Sequence, residues 1–167
     1  TESDYDADGE EAFTPASVTK TNALFVLEER QFGDVTVELG ARLEDYQIDS
    51  AVSMAEHHHD HEEEEEHHDE EEAEIINYSE DFTNLSLSAG AIWQYQEGQS
   101  VALSVSRSER APLSAELLSN GIHIATGTYE LGLGYHIEDG EIHFEPEDIE
   151  QETATNFDLS FRRFIGD

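Results

Sequence analysis

The sequence predicts an all-β protein: an antiparallel transmembrane β-barrel fragment of about five strands with two long extracellular loops. Three observations lead there. Apolar and polar residues alternate with period two over several segments. The connections between those segments switch between tight turns and very long stretches. No helical stripe of useful length interrupts them.

The first strand is expected over Asn22–Glu29, with Ala23, Phe25 and Leu27 on one face and Leu24, Val26 and Glu28 on the other. Gly33-Asp34 punctuates a tight turn after it. The second strand, Val35–Glu44, has the clearest pattern. Val35, Val37, Leu39, Ala41 and Leu43 alternate with Thr36, Glu38, Gly40, Arg42 and Glu44. A helix would scatter both sets around its circumference. Residues 45–83 show no sustained period and read as a His/acid-rich extracellular loop. Alternation resumes over Asn84–Gln94, Glu97-Gly98-Gln99 turns the chain, and Val101–Arg110 follows. Residues 111–155 read as a second extracellular loop, and Asn156–Phe164 as the last strand. Residues 1–21 read as loop.

Short turns thus lie at one edge of the sheet and long loops at the other, which is the asymmetry of an outer-membrane barrel. A soluble sandwich would alternate in the same way. Three features favour the barrel: strands near membrane-spanning length, an inner face of Ser, Gly, Glu and Arg, and Trp93 and Tyr95 near the turn end where an aromatic girdle belongs. Five strands cannot close a barrel. Residues 1–167 are therefore expected to be a partial outer-membrane barrel domain, completed by a larger assembly and lacking a plug.

Composition narrows the partners. The chain has 41 acidic residues against 7 basic and a formal net charge of -34. No basic stripe exists to neutralise phosphates, which excludes nucleic acid. The absence of cysteine removes disulfides and thiolate metal sites. No nucleophile elbow, HExxH motif or Gly-rich phosphate loop is present, so an enzyme is not expected. No secretory leader is evident at Thr1-Glu2-Ser3-Asp4.

Residues Glu56 to Glu74 carry six of the nine histidines and 12 acids, with one alanine. Such a run cannot bury a core. Neutral imidazole binds zinc and other borderline divalent metals, and carboxylates can complete a tetrahedral shell. The candidate metal ligands are His57, His58, His59, Asp60, His61, His67, His68 and Asp69. A solvated acidic spacer is the plain alternative.

Further residues carry a resemblance. Ser106-Arg107-Ser108-Glu109-Arg110-Ala111-Pro112 leads into Ala115-Glu116-Leu117-Leu118-Ser119-Asn120-Gly121-Ile122-His123 and on to Thr128-Tyr129-Glu130-Leu131-Gly132. This resembles the middle-barrel signature of TonB-dependent outer-membrane receptors, and within them the zinc-uptake (ZnuD-like) branch. Shorter pieces at Gly9–Pro15, Ala23–Asp34 and Glu152–Leu159 are similar to neighbouring strands of that family. The resemblance implies a 22-stranded barrel with an N-terminal plug in the bacterial outer membrane, its loops extracellular. It also implies partnership with outer-membrane lipid, with the rest of the barrel and plug, and with the TonB complex through that missing plug. It makes His123 a further zinc ligand, facing the vestibule. The chain departs from the family pattern after Gly132, where an acidic insertion bears His136 and His143. Arg107 and Arg110 are expected to be lumen charges paired with acids such as Glu109 or Glu116. The expected function is capture and import of Zn2+, or a related divalent metal, as part of such a receptor. The rival is a soluble or surface-attached acidic β-protein that buffers metal or binds a partner.

Overall fold

A computed structural model describes residues 1–6, 13–54, 74–123 and 125–164. Six strands form one antiparallel sheet: β1 (Glu2–Tyr5), β2 (Ser17–Phe32), β3 (Val35–Met54), β4 (Glu74–Gln96), β5 (Gln99–Arg110) and β10 (Glu152–Arg163). They lie side by side in chain order. Between β5 and β10 the chain builds a short helix, α1 (Ser114–Leu118), and two small hairpins, β6 (Asn120–His123) with β7 (Thr128–Leu131) and β8 (Tyr135–Glu138) with β9 (Glu141–Phe144). Among the described residues the main sheet does not close on itself: β1 and β10 are its edges.

All five expected strands are present, and the faces fall as the alternation requires. Register pairs Leu39 with Ala89, Leu87 with Ala41, Leu103 with Ala91 and Leu103 with Leu159. Opposed residues share a face, so Val37, Leu39, Leu87, Leu103 and Leu159 lie together. This face is bare: Leu24, Phe161 and Phe157 are 77%, 72% and 69% exposed. At the turn end, Phe32, Val35, Trp93, Val101 and Phe161 form one row across five strands. Its three aromatic rings stand where the girdle of a barrel wall would lie. Strand β2 is less regular. Glu28 and Arg30 pair at 2.9 Å on the otherwise apolar face, and Phe25 and Leu27 occupy the polar one.

The turns match expectation. Gly33 and Gly98 both take positive φ, 60° and 71°, in two-residue connections. Glycine is the residue that tolerates this without steric cost.

The strands run further than expected, which corrects the three loop assignments. Residues 45–54 and 74–83 are paired strand, from Asp45 opposite Thr83 up to Met54 opposite Glu74. The alternation does not stop at Asp45; it changes phase. Below it the apolar residues of β3 are odd-numbered; above it Tyr46, Ile48, Val52 and Met54 are even-numbered. On β4, Ile76, Tyr78 and Phe82, opposite Val52, Ser50 and Tyr46, follow the same switch. The apolar side therefore moves to the opposite face of the same continuous sheet. Residues 1–21 contain β1 and the start of β2, which pair with each other and with the upper half of β3. A long ladder leaves edge amides that need partners, and these segments supply them. Residues 111–155 hold α1 and the two hairpins, and β10 begins four residues early, at Glu152. The reading of residues 45–83 as one loop is corrected at both ends; its middle, residues 55–73, lies outside the described residues.

The phase change explains where the core sits. The apolar upper face of β3 and β4 receives α1 and the hairpins. Ile48, Val52, Leu117 and Leu118 are fully buried, with Tyr78, Phe82, Ala111, Tyr135 and Phe144 around them. Each of the four is worth about 1.5–3 kcal/mol in apolar burial. This capping unit is stitched to the sheet by hydrogen bonds. Asn120 N donates to Phe13 O at 2.7 Å, and the Thr14 and Ser119 hydroxyls meet at 2.8 Å in a buried pair.

Candidate metal-binding cap and hairpin tip

Strands β3 and β4 form a hairpin whose upper half is packed on one side by the cap and polar on the other. Asp45, Gln47, Asp49, Ser79 and Asp81 line the polar side. The run of histidines and acids connects its paired ends, Met54 and Glu74. His57, His58, His59, Asp60, His61, His67, His68 and Asp69 lie outside the described residues.

His123 is described. It closes β6, and its carbonyl accepts the Gly127 amide at 2.7 Å. Its ring is half-buried, edge-on to Phe13 with centroids 5.6 Å apart. Nδ1 is buried without a hydrogen-bond partner among the described residues. Gly121 allows this approach, because a Cβ there would lie 2.6 Å from Phe13 Cβ.

The two expected lumen arginines differ. Arg110 lies on the polar face and clamps the cap to the sheet. It donates to both Glu116 oxygens, at 2.9 and 3.1 Å, and also to Glu152 across to β10. Glu116 accepts the Leu113 amide as well, at 2.7 Å. The Arg110 hydrogen bonds and then the Leu113 amide hold the Glu116 carboxyl below its usual range. Arg107, by contrast, shares the face of Leu87 and Val105, where it pairs with Glu109 at 3.1 Å; it is not a lumen residue. Inside the cap, burial pushes the Tyr135 hydroxyl up to about 12, and it donates to Leu118 O at 3.1 Å.

Hairpin β8–β9 contains ligand chemistry that reading 111–155 as irregular passes over. His136 and His143 are directly opposed, with rings stacked 5.5 Å apart at 25°. His136 Nε2 is 3.9 Å from oxygens of both Glu138 and Glu145, and His143 Nε2 is 4.0 Å from Glu141. The signal lies in His136-Ile137-Glu138-Asp139-Gly140-Glu141-Ile142-His143, which alternates on both sides of an Asp-Gly pair. Asp139 and Gly140 take φ of 52° and 91°, and Asp-Gly is a strong hairpin signal because both central positions need positive φ.

A strand-ordered antiparallel wall, bare and apolar on one face below and capped on the other face above, defines an outer-membrane type of β-sheet. The sequence profile of the TonB dependent receptor-like, beta-barrel family matches residues 1–167, and the chain belongs to that family. Membership decides between barrel and sandwich, and it gives an outer-membrane location and a receptor and transport role; members of the family are transporters rather than enzymes. Neither a curated protein nor a solved structure matches the chain.

Proposed function

We propose that this barrel wall belongs to a receptor that gathers zinc, or a related divalent metal, outside the cell. One observation carries the reading: six histidines and 11 carboxylates are concentrated in one run of sequence between the paired ends, Met54 and Glu74, of the tallest hairpin. Individual His and carboxylate contacts there would be exchangeable, which suits capture and hand-over better than storage. His123, with its unpartnered Nδ1, is the proposed ligand nearer the barrel. The remaining partners follow the family: outer-membrane lipid around the apolar face, further barrel strands and a plug, and TonB acting through that plug, with the hairpin tips extracellular.

The test is a pair of titrations. Zn2+ and Ca2+ are added to the wild-type chain and to a variant with His57, His58, His59, His61, His67 and His68 replaced by Asn. Zinc binding should weaken strongly in the variant. Calcium, which takes oxygen ligands, should bind almost equally to both. Equal zinc affinity in the two proteins would reduce the run to a solvated acidic spacer.

A further inference from the structure

The β8–β9 hairpin has two faces of opposite character. Tyr135 and Phe144 are buried in the cap and Ile142 packs against the same core. The other face carries His136 and Glu138 on one strand and Glu141 and His143 on the other. Glu145 extends that face, its amide donating to Gly134 O at 3.0 Å. Every side chain on it is an imidazole or a carboxylate. The buried aromatic face fixes the hairpin on the cap, and thereby fixes the positions of the two imidazoles.

The spacings are those of a site about to close. At 3.9 to 4.0 Å, the three N···O distances are too long for hydrogen bonds. A tetrahedral zinc holding an imidazole nitrogen at ~2.0–2.1 Å and a carboxylate oxygen at ~2.0–2.2 Å brings them to about 3.4 Å. Each pair lies roughly half an ångström outside that separation. The two rings are 40–41% exposed and the three glutamates 47–74%, which leaves these side chains room to rotate toward a shared ion. Among the described residues no three such groups already surround one point; the metal is what would draw them together.

We propose that this hairpin face is a discrete site for a borderline divalent transition cation, bound by His136, His143 and two of the three carboxylates Glu138, Glu141 and Glu145. It is separate from the His/acid run and does not depend on the role of that run. Two neutral imidazoles favour zinc, copper or nickel over calcium or magnesium.

The probe is Zn2+ itself, titrated into the full chain in the background where the six histidines of the run are Asn. One equivalent should bind, and the His136→Asn/His143→Asn double variant should lose it. Imidazole resonances of His136 and His143 should shift together on zinc addition. Amide exchange of β8 and β9 in the double variant, equal to that of its parent, shows that the hairpin remains folded. An equivalent that survives the double variant, or no zinc-dependent shift of these two rings, overturns the site. Failure of the run alone appears differently, as equal zinc affinity in the wild type and the six-Asn background.

Discussion

Tyr78 and Phe144 meet edge to face, with ring centroids 5.6 Å apart and planes at 85°. This contact ties β4, one leg of the tallest hairpin, to β9 in the cap. Phe144 also packs on Tyr135, at 4.9 Å between centroids. Replacing Phe144 with Ala should cost the cap about 3–5 kcal/mol. Proteolysis should then cut within residues 111–149 first, with exchange in the lower rows of β3, β4 and β5 unchanged. Uniform loss of protection would mean that cap and sheet unfold as one unit.

The Arg110–Glu116 clamp gives the cap an acid limit. The Glu116 carboxyl is held below its ordinary value in the folded chain, chiefly by Arg110. Its contribution is therefore fully present above the unfolded carboxyl range, about 4.3. It is lost as pH falls from there through the lowered folded value. Glu116→Gln should lose that contribution at neutral pH, speeding cap exchange there, and should abolish that part of its acid dependence. An identical acid profile in the variant would assign the limit to other carboxylates.

Gly132 is a steric requirement of the cap. A Cβ at that position would collide with the Leu117 carbonyl, and the backbone there has no room to give. Gly132→Ala should strip protection from the Leu117 and Leu118 amides. Gly127→Ala meets no neighbouring atom, although its φ of 68° carries local strain, and it should leave those amides protected. Similar exchange in both variants would remove the collision as the cause.

Zinc capture should compete with protons. Imidazole binds metal only when neutral, and its ordinary pKa is ~6.5. Zinc affinity of the wild-type chain should therefore fall between pH about 8 and about 6, with protons released on binding. Calcium should show much less of this dependence. Calorimetry in two buffers of different ionisation enthalpy measures the proton count. A zinc affinity independent of pH would assign binding to carboxylates.

The sequence made the lower sheet legible because Val35 to Leu43 and Leu85 to Trp93 keep one phase of alternation. It concealed the upper sheet because the phase reverses at Asp45: judged against a fixed face, Tyr46, Ile48 and Val52 look like disorder in the pattern. The reversal has a physical cause. Below Asp45 the apolar side is bare, the side proposed to face lipid, and above it the apolar side faces the cap. The cap was harder to read, since its core joins Leu117, Leu118, Tyr135 and Phe144 to residues far away in the chain. The His136–His143 pair was visible only through its Asp-Gly turn. His123 was singled out by resemblance, while its packing on Phe13 depends on a contact across more than a hundred residues.

The central claim is that this reversal marks the edge of the membrane, and Leu39 and Gln47 test it on one face of one strand. The chain has no cysteine, so Leu39→Cys and Gln47→Cys each give a single spin-label site. With the protein in lipid bilayers, the label at residue 39 should be relaxed by oxygen and shielded from a water-soluble nickel chelate. The label at residue 47 should show the reverse. Equal exposure of both labels to the nickel chelate would contradict the account.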